Sequence, residues 1–411
     1  MSSVIGGIKL RLHALTGLRF LAAFTIVLHH LRGSFGIPTD ISFAWRADIG
    51  VTVFFILSGF VLTYSYSSLG SGRVTVWQFY VARFARIWPA HAVTLLAAIA
   101  LGVPFQLQSF IANAALVQAW IPTGHYFFSY NAVSWSISTE MGFYLLFPLL
   151  VLNIATTWPW KLAAALGISV AVVTLACIID LPAYSGRQDV FVMQGLVMTN
   201  PLARLFEFTL GTATAAVWLR NRDRLSFSLV TWAGFEALSI LFFIWGTRVI
   251  GSELQSIFPT GLSMEYWIGQ SLSPNIPIAV ALAVLASSTG PLARLLGSRP
   301  MIFLGEISFA IYLTHQLVLR FFLGHLQILE GWSPSVATAG YLTAVLVAST
   351  LLHFLVELPA QNAIKELAIR LRGHRIPNAG SALPAQGSSS CINAHPTSIR
   401  LDSSSQSSSA G

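Results

Sequence analysis

Two ionisable side chains, Arg19 and His30, lie eleven residues apart inside the apolar segment LTGLRFLAAFTIVLHHL. A helix turns by about 100° and rises by about 1.5 Å per residue, so it places both side chains on nearly the same face, roughly 16 Å apart. Ionisable groups at such depth in a membrane are costly unless they face a protein interior or a wet cavity, which makes the pair a candidate functional site. The alternative is structural: Arg19 reaches a lipid headgroup, and His30 is a hydrogen-bonded core residue.

A second candidate site contains Arg83 and Arg86 in the segment RVTVWQFYVARFARIWPAH. They are three residues apart and share a helical face, with Pro89 close behind them near the start of the next apolar run. Guanidinium groups stay charged and pair bidentately with phosphate, so these side chains suit a phosphorylated ligand that arrives from the cytoplasm. The competing interpretation is that they only anchor the chain at the cytoplasmic membrane surface.

Glu140 follows Trp135 and Ser136 in SWSISTEMGFYLLFP and precedes Tyr144 by about one helical turn. A carboxylate near the start of a membrane helix can complement the helix dipole and satisfy nearby donors. It can also hold a histidine in the required tautomer or orient a hydroxyl substrate. The sequence leaves the structural and the catalytic interpretation equally open.

Three weaker signals lie further along the chain. Arg204 and Glu207 in RLFEFTLG are three residues apart and are most simply a self-neutralising pair. The segment LGEISFAIYLTH stacks three polar side chains on one helical face, namely Ser308, Tyr312 and His315. The segment VELP closes a helix with Glu357 and Pro359. Packing and helix termination are the more frequent explanations of such patterns.

The rest of the chain determines how these residues are positioned. Of the 411 residues, 55% are hydrophobic and only 9% are charged, and the mean hydropathy of +0.70 is that of an integral membrane protein. Apolar runs of roughly spanning length predict an all-α protein with about ten transmembrane helices in one bundle. The runs are 15–34, 49–67, 87–106, 135–155, 162–180, 202–219, 229–247, 275–290, 301–323 and 336–357.

An even number of spans places both termini on one side, and the basic residues indicate which side that is. Most of the 23 Lys and Arg residues fall in the segments that lie in the cytoplasm when the N-terminus does. We therefore expect a multi-pass protein of the cell (inner) membrane with cytoplasmic termini, in contact with membrane lipids. The net charge of +8 follows from this distribution, and no nucleic-acid partner is expected.

Residues 1–362 are expected to form the membrane-embedded domain, and 363–411 a cytoplasmic tail that is first basic, then Ser-rich and mostly disordered. The uncharged segment 107–134 is expected to form a short helix and a loop at the outer surface, or to re-enter the membrane. Cys177 and Cys391 offer no disulfide framework, and no His or Cys cluster has the spacing of metal ligands. The first apolar segment lacks a small-residue cleavage site and is kept as structure.

In order along the chain, these segments resemble the acyltransferase-3 superfamily of membrane acyltransferases, whose members modify bacterial surface sugars and related acceptors. The resemblance covers nearly the whole of residues 8–362. It rests on the following motifs: Arg19 and His30 with ten residues between them; IGVTVFFILSGF with Gly50, Ser58 and Gly59; the arginines Arg83 and Arg86 before IWP; SWSISTEMGFYLLFP; RLFEFTLG with Gly211; LGEISFAIYLTH with Gly305; and the terminal ELP.

The resemblance implies that an acyl group, most simply acetyl, passes from cytoplasmic acyl-CoA to a hydroxyl of an extracytoplasmic carbohydrate or glycoconjugate. Acyl-CoA is then a co-substrate, and no permanently bound cofactor is expected. His30 would be the essential catalytic histidine, acting as general base or as transient acyl carrier, with Glu140 as a second catalytic candidate. The expected donor- and substrate-binding residues are Arg19, Arg83, Arg86, Ser58, Trp135, Ser136, Tyr144, Tyr312 and His315.

Two features qualify the resemblance. Many relatives carry an acidic residue where this chain has Thr52, and only the spacing selects His30 over the adjacent His29. Two other functional classes remain as alternatives: a multi-pass transporter of a small solute or lipid-linked sugar, and a relative that has lost its activity and serves as a scaffold or sensor.

Overall fold

The computed structural model describes residues 12–37, 49–69, 75–183, 185, 187, 189–250, 253 and 261–373. This part of the chain is helical and contains no β-strand; an isolated antiparallel bridge pairs Thr123 with Phe191. Cys391 and the predicted Ser-rich tail lie outside the described residues, as do the basic residues Lys9, Arg11, Arg46, Arg73, Arg375 and Arg400.

Sixteen α-helices follow one another in the described chain. They are α1 (His13–Leu31), α2 (Gly50–Tyr66), α3 (Val76–Ala100), α4 (Leu107–Ala114), α5 (Gly124–Phe127), α6 (Trp135–Val151), α7 (Ile154–Ile178), α8 (Leu205–Asn221), α9 (Leu229–Trp245), α10 (Gly261–Trp267), α11 (Asn275–Ser287), α12 (Pro291–Leu296), α13 (Arg299–Glu306), α14 (Ser308–Gly324), α15 (Pro334–Leu352) and α16 (Leu358–Gly373). Segments of π-helix occur at Gln194–Thr199, Gly246–Ile250, Ile268–Leu272 and His353–Glu357.

Each of the ten predicted apolar runs falls on helix, and the all-helical membrane architecture is confirmed. Within the described chain, four helical stretches are long and apolar enough to cross a membrane: His13–Leu31, Ile154–Ile178, Leu229–Val249 and Pro334–Ala368. A fifth is obtained when α13 and α14, which are bent by 61°, count as one span. The helices α2 and α11 are apolar but shorter than the roughly 20 residues a straight span needs. The count of ten spans therefore stays a prediction.

The start of α3 differs from the prediction. The apolar run predicted a span from residue 87, whereas the helix begins at Val76 behind a capping box. In this box the Gln78 backbone N–H donates to Thr75 Oγ1 at 3.3 Å, and the Thr75 backbone N–H donates to Gln78 Oε1 at 3.0 Å. Arg83 and Arg86 consequently share one helix, as their spacing predicts, and this helix continues into the apolar run.

The helices α2 and α8 approach each other closely through two glycines. A Cβ atom built on Gly59 would lie 3.0 Å from the backbone N of Thr212, and one built on Gly211 would lie 2.7 Å from the carbonyl carbon of Ile56. Side-chain carbon atoms do not approach the main chain so closely, and only glycine permits this crossing. The contact fixes α2, which carries Ser58.

Residues 107–134 contain two short helices, α4 and α5, where one short helix and a loop or a re-entrant segment was expected, and several of their polar side chains form hydrogen bonds inside the protein. Asn113 Nδ2 donates to Ser129 Oγ at 2.7 Å, and Asn131 Nδ2 donates to the carbonyl oxygen of Leu313 in α14 at 2.9 Å. The segment is thereby attached to α14. At the other end of the chain, α16 continues to Gly373, past the expected domain end at 362.

Candidate active site

Three arginines from two helices form a cationic cluster. Arg19 in α1 interacts electrostatically with Arg83 in α3, and Arg86, one turn further along α3, interacts with both. Arg19 Nε is buried and has no hydrogen-bond partner among the described residues. The structure thus brings together the three arginines that the sequence assigned to one donor-binding set.

Glu140 accepts two hydrogen bonds beside this cluster. Ser58 Oγ of α2 donates to Glu140 Oε1 at 2.7 Å, and Tyr144 OH, one turn along α6, donates to the same oxygen at 2.6 Å. Arg83 lies over the ring of Tyr144 at 5.8 Å, and Arg19 interacts with the carboxylate electrostatically. Glu140 is therefore a counter-charge for the arginines.

The hypothesis that Glu140 orients the histidine finds no contact to support it. In the part of the chain that the structure describes, no hydrogen bond joins Glu140 to His30. The sequence could not show whether Glu140 contacts His30 or the hydroxyls of Ser58 and Tyr144. The rotation of α6 about its axis determines which of these neighbours the carboxylate meets.

Glu357 was interpreted from the sequence as part of a helix end, but it forms a salt bridge with Arg86 and its side chain is fully buried. His353 Nδ1 lies 2.8 Å from Glu357 Oε2, and Gln361 Nε2 donates to Oε1 at 3.3 Å. The missed signal was the carboxylate itself, because an acidic group in an apolar segment requires a cationic or hydrogen-bonding partner.

His30 contacts a second histidine. Its Nδ1 lies 3.0 Å from the carbonyl oxygen of Ile26 and 3.1 Å from Nε2 of His315 in α14. His315 Nδ1 lies 2.7 Å from the carbonyl oxygen of Tyr312. In neutral rings, His315 must donate through Nδ1 to that carbonyl, so its Nε2 accepts from His30 Nδ1. The remaining nitrogen of His30, Nε2, then carries a free lone pair.

The neighbouring His29 lies in a different environment. Arg32 Nη2 is 2.8 Å from His29 Nδ1, whereas His30 contacts His315. His30 also lines a cavity of about 510 Å³ together with Asn131 and Arg320. Contacts as well as spacing therefore distinguish the two imidazoles.

Ser136 and Tyr312 meet where α6 begins. The two hydroxyl oxygens lie 2.7 Å apart, and Tyr312 OH donates to the carbonyl oxygen of Val133 at 2.8 Å. Trp135 packs edge-on against Phe55 in the hydrophobic core, with ring centroids 6.3 Å apart. Tyr312 thus contacts Ser136 through its hydroxyl and His315 through its carbonyl oxygen, whereas Trp135 packs in the core.

The chain matches a family of known proteins over most of its length. A family model described as an acyltransferase domain matches residues 12–354. The chain belongs to this acyltransferase family. The match includes α1 with Arg19 and His30, α3 with the paired arginines, and α14 with His315.

Some relatives of this acyltransferase match over nearly their whole length and others over about half of it. The chain is 31% identical to the acyltransferase MdmB of Streptomyces mycarofaciens over 91% of this chain and 96% of that protein. It is 26% identical to the peptidoglycan O-acetyltransferase OatA of Listeria monocytogenes and 25% identical to the O-acetyltransferase OatA of Staphylococcus aureus, over 74% and 75% of this chain. The matches span 48% and 51% of the two OatA proteins. No solved structure gave a significant match.

Thr52 lies beside a buried ion pair in this acyltransferase. Arg204 donates to Glu207 through Nε at 2.6 Å and through Nη2 at 2.9 Å, which is the predicted self-neutralising pair. Arg204 Nη2 also donates to Thr52 Oγ1 at 3.0 Å. The hydroxyl therefore completes the hydrogen bonding of a guanidinium that Glu207 already neutralises.

Proposed function

We propose that the protein is a membrane O-acyltransferase that transfers an acetyl group from cytoplasmic acetyl-CoA to a hydroxyl of an extracytoplasmic carbohydrate or glycoconjugate. The observation that carries the proposal is the His30–His315 contact of 3.1 Å beside a cavity, with His30 on the same helix as the half-buried Arg19. Family membership supports the acyl transfer, and the names of the OatA relatives support oxygen as the acceptor atom and a cell-envelope substrate.

The cationic cluster is assigned to the donor. CoA carries several phosphate groups, and guanidinium groups bind phosphate through paired N–H donors. Arg86 and Glu357 neutralise each other, while the Nε of Arg19 is a donor without an acceptor among the described residues. We assign Arg19 and Arg83 to direct phosphate contact and Arg86 to holding α3 in place.

His30 is assigned to proton transfer. Nε2 takes the proton from the acceptor hydroxyl while the hydroxyl oxygen forms a bond to the thioester carbonyl carbon. The tetrahedral intermediate then breaks its C–S bond, and the CoA thiolate leaves and takes the proton from Nε2. Transient acylation of Nε2 is the second route, in which the acyl group passes from sulfur to nitrogen and then to the acceptor oxygen.

His315 holds the base in position. By accepting from His30 Nδ1, it selects the tautomer that leaves Nε2 unprotonated. Tyr312 and Tyr341 hold His315 in turn: the Tyr312 carbonyl oxygen is 2.7 Å from His315 Nδ1, and Tyr341 OH donates to the His315 carbonyl oxygen at 3.1 Å. We class His315 as a positioning residue.

The proposed reaction needs access from both membrane faces. We propose ten membrane crossings in the inner membrane, with cytoplasmic termini, because the ten apolar runs each fall on helix and the predicted cytoplasmic segments hold most of the basic residues. Shorter helices such as α2 cross where neighbouring helices and local thinning of the bilayer compensate for their length.

The test is acyl transfer by purified protein in lipid nanodiscs, measured as CoA release and as labelled acetyl on an envelope-glycan extract. We expect His30→Gln to lower the rate by about 10²- to 10⁴-fold, the usual contribution of a general base. His29→Gln is the matched control, and equal thermal midpoints of the two variants exclude misfolding. Full activity of His30→Gln contradicts the proposal, and a hydroxylamine-sensitive acetyl on the wild-type protein identifies the acyl-histidine route.

A further inference from the structure

Two cavities meet at the side of α14 that faces His30. The first, of about 510 Å³, is lined by His30 and Asn131, and the second, of about 350 Å³, is lined by His125. Tyr130 and Arg320 line both cavities, so the two cavities adjoin each other. Each volume lies within the range typical of small-molecule sites. We call the cleft formed by these two cavities the acceptor cleft.

The walls of the acceptor cleft carry groups that suit a sugar. Phe128 and Tyr130 contribute aromatic rings, and Gln106 and Gln316 contribute amides that can both donate and accept hydrogen bonds. Asn131 is 2% exposed, and its Nδ2 donates to the backbone, whereas its Oδ1 has no partner among the residues that the structure describes. The lining of the cavity that contains His30 thus includes a buried carbonyl oxygen without a donor among the described residues.

The two arginines of the acceptor cleft differ in their partners. Arg187 donates to Asp189 at 2.8 and 3.3 Å, and these hydrogen bonds hold the pKa of the Asp189 carboxyl below its usual range. That pair is therefore neutral overall at physiological pH. Arg320 is exposed and makes no hydrogen bond or salt bridge to any described residue. In the described part of the cleft, Arg320 is the arginine with no counter-charge.

We propose that the acceptor cleft binds the acyl acceptor and that Arg320 pairs with a carboxylate or phosphate on it, so that the preferred substrate is an anionic glycoside. This inference rests on the proposed function, because the hydroxyl that reacts must reach His30. The position of Arg320 between the two cavities places the anion beside the sugar ring that enters the first cavity. A neutral sugar of the same shape keeps the hydrogen bonds of the amides and loses the charge-assisted one.

Binding is the direct test, and a matched pair of probes isolates the charge. Methyl β-D-glucuronide and its methyl ester have the same ring hydroxyls and differ only in the carboxylate. Titrated calorimetrically into the wild-type protein in nanodiscs, the acid is expected to bind about two- to fivefold more tightly than the ester, as one exposed charge pair permits. Arg320→Gln is expected to abolish this preference, and Arg320→Lys to keep most of it. Arg294→Gln removes an equally exposed arginine of α12 as a control.

Other results overturn the inference. A wild-type protein without preference for the acid, including one that binds neither probe, contradicts it, as does a preference that survives Arg320→Gln. Equal weakening of both probes by Arg320→Gln leaves the preference unchanged and therefore contradicts the inference too. Failure of the proposed function can be told apart from failure of this inference. In that case His30→Gln retains acyl transfer, and this result does not depend on which probe the protein prefers. If both proposals hold, His30→Gln loses transfer and keeps the preference for the acid.

Discussion

The close crossing of α2 and α8 gives a prediction whose size follows from the coordinates. In Gly211→Ala, the new Cβ would lie 2.7 Å from the carbonyl carbon of Ile56, whereas ordinary contact begins at 3.4 Å. The obstacle is main chain and cannot rotate away, so the two helices must separate by at least about 0.7 Å. Ser58 follows Ile56 by two residues on α2, and the same movement stretches its 2.7 Å hydrogen bond to Glu140 beyond the usual range.

Two energies oppose each other in this variant. Alanine is favoured over glycine inside a helix by about 1 kcal/mol. Overpacking costs about 1–3 kcal/mol, and a backbone obstacle places this case in the upper part of that range. We expect a net loss of about 1–2 kcal/mol of stability, or a fall of about 1–2 °C in the thermal midpoint of a chain of this length.

The assay is thermal unfolding of detergent-purified variants, followed by acyl transfer below the midpoint. Gly167→Ala in α7 and Gly234→Ala in α9 are the controls, because a Cβ at either position meets nothing within 4 Å. The controls are expected to match or exceed the wild-type midpoint, and Gly211→Ala to lose both stability and activity. A Gly211→Ala protein as stable and active as the controls would refute the packing argument.

Two further predictions concern buried carboxylates. Arg86→Gln and Glu357→Gln each leave a partner charge unpaired, so each single variant should express poorly. The double variant should recover folded protein, measured by size-exclusion chromatography. If the losses of the two single variants add up in the double variant, the pairing is contradicted. Glu236 is 2% exposed and accepts hydrogen bonds from the backbone N–H groups of Leu292 and Ala293 at 2.9 Å. Glu236→Gln should therefore lower the stability by about 1–3 kcal/mol. The turnover per folded molecule should be unchanged. A midpoint equal to wild type would show that the carboxylate is not needed there.

Much of the helical architecture could be predicted because it follows from local sequence. A long apolar run forms helix wherever it lies in the bilayer, since its backbone groups must be satisfied internally. The start of α3 was missed because its first turns are amphipathic and mix polar with aromatic residues. The capping residues Thr75 and Gln78 were the available signal for that boundary.

The candidate site could be predicted as a set of residues but not as a set of contacts. His30 and His315 are 285 residues apart, and Thr52 and Arg204 are 152 apart. Whether such pairs meet depends on the rotation and tilt of each helix, which the packing of other helices determines. Sequence reasoning therefore named both histidines and left their contact unpredicted, and it assigned Glu357 to a helix end instead of to Arg86.

The cost of burying charge explains which residues of the candidate site are charged and which are neutral. Glu207 and Glu357, both almost fully buried, each have an arginine partner, because an isolated carboxylate in an apolar interior is strongly unfavourable. His30 and His315 have no carboxylate partner among the described residues, and their mutual hydrogen bond is one that neutral rings can make. An uncharged imidazole can remain in a membrane interior without a counter-ion and still offer a lone pair to a proton. The proposed donor site and the proposed base therefore differ in charge: the first consists of arginines and the second of neutral rings.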